Sequence, residues 1–100
     1  MPKNKPYDLH PEAQNEIEGS YVWYSRRSLD ATVGFLTSID QALDVVSNSP
    51  HRWPIHLYGT RRYILKDFPF SIVYLDDPDS IKIVAVAHHR RRPGYWKSRL

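Results

Sequence analysis

The most unusual stretch of this chain is its ending, His88-His89-Arg90-Arg91-Arg92-Pro93-Gly94-Tyr95-Trp96-Lys97-Ser98-Arg99. Arg and Lys bind phosphate oxygens, Arg with a two-pronged donor. An imidazole titrates near neutrality and moves protons. Tyr and Trp stack on unpaired bases. Arg61, Arg62 and Lys66, on or beside the preceding strand, add charge to the same surface. That inventory suffices for metal-free cleavage of RNA. A base takes the 2′-hydroxyl proton, cations stabilise the phosphorane, and an acid protonates the departing 5′-oxygen. Plainer roles compete. Trp96 suits a core-edge anchor better than a base platform, and Tyr95 suits either. His88 at a strand end is more often a structural histidine, and His89 reads as solvent-exposed.

Other chemistries have less to stand on. His10, His51 and His56 show no metal-ligand spacing, and the chain has no cysteine. No metal site and no cofactor are therefore expected. No Gly-rich phosphate loop and no Ser nucleophile elbow occur. Asp76, Asp77 and Asp79 read as turn residues.

The chain has 100 residues, enough for one domain spanning 1–100. A domain of this size buries roughly two-thirds of its unfolded surface. It must spend nearly all its large apolar residues on one core. Residues 1–6 read as a frayed lead-in without the apolar region of a signal peptide. No apolar run approaches the ~20 residues of a membrane span. The absence of cysteine fits a reducing cytoplasm. The net charge of +3 divides unevenly. Residues 1–49 carry seven acids and four bases, and residues 50–100 carry four acids and ten bases. Such a bias suits a polyanionic partner, whether nucleic acid or an acidic protein.

These residues need elements to position them. Tyr7-Asp8-Leu9 suits a short first strand. His10-Pro11-Glu12 opens a helix, with Pro at its first position. Ile17, Tyr21 and Tyr24 share one face, and Trp23, Tyr21 and Tyr24 read as helix-packing residues. Arg26 and Arg27 are expected in the last turn. Ser28 caps a second helix whose stripe of Leu29, Val33, Phe35, Leu36, Ile39, Ala42, Leu43 and Val46 is wide enough for a helix and a sheet. Trp53 reads as a plug over the core. Gly59 marks a turn before the strand beginning at Arg61. Phe70 to Leu75 and Ile81 to Ala87 form a hairpin, and neither run alternates, so both faces should be covered. Strand alternation places His88 with Lys82, Val84 and Val86. The fold class is α+β: an N-terminal helical hairpin packed on a small, mainly antiparallel sheet of three to four strands.

The order helical hairpin, Arg-bearing strand, Phe68-Pro69-Phe70-Ser71-Ile72-Val73-Tyr74, then Ile81 to His88 and the ending Arg91-Arg92-Pro93-Gly94-Tyr95-Trp96 resembles the RelE/ParE toxin superfamily of type II toxin–antitoxin systems. The resemblance covers about Tyr7 to Arg99. It implies a cytoplasmic toxin in a hetero-oligomer with a cognate antitoxin. RelE-like members are metal-independent endoribonucleases that cut mRNA on the ribosome, and this is the activity the resemblance leads us to expect here, with gyrase inhibition as the alternative. ParE-like members poison DNA gyrase without a hydrolytic site, and an inactive antitoxin-binding relative is a further alternative. For the ribonuclease branch, the resemblance implies roles for Arg61 or Arg62, Lys66, His88 and Arg91, with Tyr95 in addition. Arg90, Arg92, Lys97, Arg99 and Lys82 would then bind the nucleic acid or other target. The strand that is lysine-rich in such ribonucleases has only Lys66 here, leaving His88 as the base or acid.

Overall fold

Sequence signals and elements agree closely along the chain. The computed structural model describes residues 4–100. In chain order the elements are β1 (Tyr7–Leu9), α1 (Pro11–Ser25), α2 (Leu29–Asn48), β2 (Arg61–Ile64), β3 (Phe70–Asp76) and β4 (Ile81–His88). Single 3-10 turns follow at Leu57–Gly59 and Lys97–Arg99. The helix starts are chemically specified. His10 caps α1 by accepting the Glu12 amide on Nδ1 at 3.0 Å, with Pro11 in the first turn. Ser28 caps α2 by accepting the Ala31 amide at 3.1 Å. Arg26 and Arg27 fall just past α1, not within its last turn. Arg27 instead donates to the Trp23 carbonyl and covers the Trp23 ring.

The four strands form one sheet in the order β1-β4-β3-β2. β2, β3 and β4 pair antiparallel, and β1 runs parallel to β4. The expected α+β architecture is therefore present, with its sheet mainly antiparallel. Both helices cover one face. Phe35, Ile39, Ala42, Leu43 and Val46 of α2 pack with Ala13 of α1 and with Phe70, Ile72, Tyr74, Ile81, Ile83 and Val86 of the sheet. Burial of each large side chain contributes roughly 1.5–3 kcal/mol. The second face is covered by the C-terminal coil. Trp96, only 2% exposed, packs there on Val73, Val84 and Ala85. Double coverage explains why β3 and β4 lack apolar–polar alternation.

Three expectations about packing change. Leu29, Val33 and Leu36 of α2 are exposed, so the apolar stripe is wider than the core it serves. Tyr24 packs on Phe35 and Phe68, but Tyr21 and Trp23 are exposed. Asn4 to Pro6, expected in a loose lead-in, are tied down, while residues 1–3 of that lead-in lie outside the described residues. Asn4 bonds Asp44, Lys5 pairs with Asp76 at 2.7 Å, and the Pro6 carbonyl accepts the Ile81 amide. Trp53 sits edge-on against Tyr63 at 4.9 Å, closing the end of the sheet.

A β-bulge sets the geometry of the ending. Val73 pairs with Ala85 and Tyr74 with Ile83, which leaves Val84 as the extra residue on β4. The bulge reverses the phase of everything after it. Lys82 and Val84 point to the coil-covered face, whereas Val86 and His88 point to the helix face. The expected grouping of His88 with Lys82 and Val84 is thereby corrected, because uniform alternation fails across an inserted residue.

Candidate functional site

A cleft of about 230 Å³ opens on the coil-covered face at the His88 end of the sheet. Its walls come from β2, the end of β4, the loop at His56 and the coil from Arg91 to Trp96. Arg62 pairs in register with Val73, and Ile64 with Ser71, so both β2 side chains stand on this face. Ser71 Oγ lies 2.9 Å from His89 Nε2 and holds that exposed ring at the rim. The coil turns at Gly94, whose φ of +81° is a left-handed conformation suited to glycine. That turn lets Trp96 fold back as the anchor expected of it. Tyr58, with φ +56°, packs its ring edge-on against Trp96 at 5.9 Å and closes the loop over the coil.

The sequence candidates separate once placed. Arg62 and Arg91 meet at the cleft, joined by Arg92, while His88 only borders it at the end of β4 and turns its ring to the helix face against Phe70. Arg61 does not. Its side chain leaves the other face and donates to the carbonyl of Trp53, with a longer contact of 3.4 Å to that of His51. Lys66 lies in the β2–β3 loop and is absent from the cleft wall. Lys82 lines a separate depression at the other end of β4, beside Asp8. Tyr95 reaches the cleft with its ring, but its hydroxyl donates to Glu16 Oε2. Arg99 is spent on the same carboxylate, at 2.9 and 3.1 Å. Lys97 extends over the Tyr58 ring, 4.9 Å from its centroid, outside the cleft. Arg90 faces a groove lined by Gly19, Trp23, Tyr24 and Phe70.

Electrostatics distinguish the remaining groups. His88 packs edge-on to Phe70 at 5.0 Å, and its Nδ1 accepts the Arg90 amide at 3.0 Å. Desolvation, then the charges of Arg90 and His89, lower its pKa. His56 is lowered likewise by burial and by Arg62. Both imidazoles are therefore neutral at neutral pH, and the single acceptor nitrogen of His88 is already taken by the Arg90 amide. Burial first, and the bond to Glu16 second, push the Tyr95 hydroxyl far above its usual range. It stays protonated and engaged. Among the described residues, no acid pairs with Arg62, Arg90, Arg91 or Arg92, so the cleft and its rim keep their positive field. Chemically, the arrangement is suited to gripping anionic or acidic groups over an apolar floor.

Glu16 and His56 were not found by reading the sequence. Glu16 looks like one more acid on an exposed helix face, and His56 sits in a Pro-bearing loop without periodicity. The first carried a weak signal, as an acid on the helix nearest the Arg-rich ending. The second carried none.

Comparison with known proteins identifies the family. Residues 7–93 match the family described as "ParE toxin of type II toxin-antitoxin system, parDE", and the chain belongs to that family. The structure is similar to that titled "Chromosomal ParDE TA system from P. aeruginosa", with a TM-score of 0.62. That likeness spans 84% of this chain and 95% of the other at 17% identity, which speaks for the fold alone. No curated protein sequence matches the chain. It is thus a type II toxin–antitoxin toxin of the ParE family.

Proposed function

We propose that this toxin arrests growth by gripping DNA gyrase through the cleft and its basic rim, without hydrolysing RNA. The observation that carries the reading is what becomes of the ribonuclease set. Tyr95 and Arg99 are committed to Glu16, Arg61 to a loop carbonyl, and Lys66 lies outside the cleft. What remains is a cationic docking surface on an apolar floor. The ParE family match supports a gyrase target, because ParE-like toxins poison that enzyme. On this reading the site of action is the cytoplasm. No helix among the described residues is long and apolar enough to cross a membrane. Induction is expected to lower plasmid supercoiling and raise DNA-damage signalling before translation falls. Arg62→Ala should remove these effects in cells and Arg91→Ala should weaken them, while antitoxin still copurifies with both. Prompt mRNA cleavage with normal supercoiling overturns the reading.

One observation favours the alternative of ribosome-dependent mRNA cleavage. His56 and His89 line the cleft beside Arg62 with His88 at its edge, and His56 and His88 are neutral at neutral pH. A neutral imidazole is a competent base. Toeprinting of ribosome-bound mRNA after brief induction separates the two. Cuts that vanish in His88→Ala support cleavage.

The cognate antitoxin is the partner in either case. Leu29, Val33 and Leu36 are 78%, 57% and 38% exposed, and they recur at helical spacing on one face of α2. Val22 and Trp23 are exposed on α1 just before the turn to α2. We propose that an antitoxin segment folds on this apolar face. A toxin that stays soluble, monomeric and harmless when made alone argues against it.

A further inference from the structure

We propose that Glu16 is a positioning residue: its carboxylate fixes the C-terminal coil and, through Tyr95, sets Arg91 at the cleft. The effect on target binding rests on the function proposed above, whereas the effect on the coil does not.

β1 accompanies β4 only from Ile81 to Ile83. Beyond that point the edge of β4 would present unpaired backbone groups, at the place where the bulge disturbs it. Glu16 Oε1 accepts the Val86 amide at 3.0 Å. The same carboxylate accepts the Tyr95 hydroxyl and, bidentately, the Arg99 guanidinium at 2.9 and 3.1 Å. Arg99 Nη1 also donates to the Val84 carbonyl at 3.1 Å. The Glu16 and Arg99 side chains are 15% and 11% exposed. One carboxylate from α1 therefore joins the helix, the bulged strand edge and both ends of the coil segment 95–99.

This knot reaches the cleft through a ring. The Arg91 guanidinium lies 3.7 Å from the Tyr95 ring centroid, while Arg99 lies 5.2 Å from it. No acid among the described residues holds Arg91, so the Tyr95 ring is the cation's seat. The ring's tilt is in turn fixed by its hydroxyl on Glu16. A buried ion pair is weak evidence for stability by itself, since apolar replacements often do as well. The placement of Arg91 gives this one a further use.

Amide hydrogen exchange of Glu16→Gln against wild type tests the coil directly. Exchange over 94–100 and at Val86 should accelerate about tenfold or more, while amides of β3 and α2 keep their protection. Tyr95→Phe keeps the ring under Arg91 and cuts the hydroxyl link. It should accelerate the coil in the same direction and answers the question if Glu16→Gln does not fold. Unchanged coil exchange in both variants overturns the proposal. Gyrase inhibition gives the coupling. Purified-protein titration reads the residual inhibition that Arg91→Ala retains at high toxin concentration, even where it no longer arrests cells. Glu16→Gln should weaken inhibition about tenfold in wild type and less than about twofold on that Arg91→Ala background. Additive losses would mark a merely structural Glu16 and overturn the link to Arg91. A wild-type protein that leaves gyrase untouched removes the target reading, and the exchange data still decide the positioning role.

Discussion

Arg61 and Arg62 are neighbours on β2 whose side chains leave opposite faces of the sheet, and their roles divide accordingly. Arg61 closes the 51–53 loop through backbone carbonyls, so its loss leaves the half-buried Trp53 carbonyl short of a charged donor. Arg61→Ala should destabilise the fold by about 1.5–3 kcal/mol, read from urea unfolding. Arg62 is exposed and makes no side-chain hydrogen bond among the described residues. Arg62→Ala should change stability by less than about 0.5 kcal/mol and still abolish growth arrest. Equal destabilisation by the two would refute this division. The histidines give a second residue-scale test. His56 and His88 have folded pKa values below the ordinary 6.5, so the unfolded chain binds more protons in mildly acid solution. Their contribution is intact above pH 6.5 and is lost as pH falls through the lowered folded values. The Tm should therefore drop between pH 7 and pH 5, and the double variant His56→Gln/His88→Gln should flatten that part of the profile. A wild-type slope retained by the double variant would assign it elsewhere.

The elements show how much a single inserted residue withholds from a sequence reading. Pro11, Ser28 and the Ser49-Pro50 stop fixed both helices, because caps act locally and are written in residue types. The hairpin of β3 and β4 was legible for the same reason, from its turn cluster and β-branched runs. The bulge at Val84 was not, since Val suits a regular strand equally well and the register is set by packing across the sheet. With the bulge went the true phase of His88 and the need for Glu16 and Arg99 at the strand edge. Half of the expected chemical set, Arg62, His88 and Arg91, was placed at or beside the cleft from sequence, although the His88 ring turns to the other face. The other half, Arg61, Lys66 and Tyr95, depended on side-chain direction and partners that spacing does not encode. Gly94 carries the corresponding prediction. Its φ of +81° is strained for any side chain, and a Cβ there would meet the Tyr58 ring at 3.1 Å. Gly94→Ala should cost about 1–3 kcal/mol and loosen Trp96, visible as a red-shifted tryptophan emission. An unshifted spectrum with unchanged Tm would mean that the coil turns without help from this conformation.

At the scale of the molecule, charge and apolar surface are placed at different sites. The free cations Arg62, Arg91 and Arg92 gather around the cleft with Arg90 at the neighbouring groove, while the exposed apolar stripe runs along α2. A partner that covers both would meet the two surfaces by different physics. Long-range attraction to the basic end acts before contact and governs the association rate, which salt screens over a Debye length of about 8 Å at physiological ionic strength. Desolvation of Leu29, Val33 and Leu36 acts after contact and governs the dissociation rate. Stopped-flow measurement with the cognate antitoxin should therefore show an association rate that falls at least about tenfold between low salt and half-molar salt, with a nearly constant dissociation rate. Arg90→Gln/Arg92→Gln should flatten the salt dependence and leave dissociation alone. Val33→Ser/Leu36→Ser should do the reverse, speeding dissociation about tenfold or more at any salt. An antitoxin whose association ignores salt would have to bind away from the basic end, and the cleft would then remain open in the complex for a second, anionic occupant.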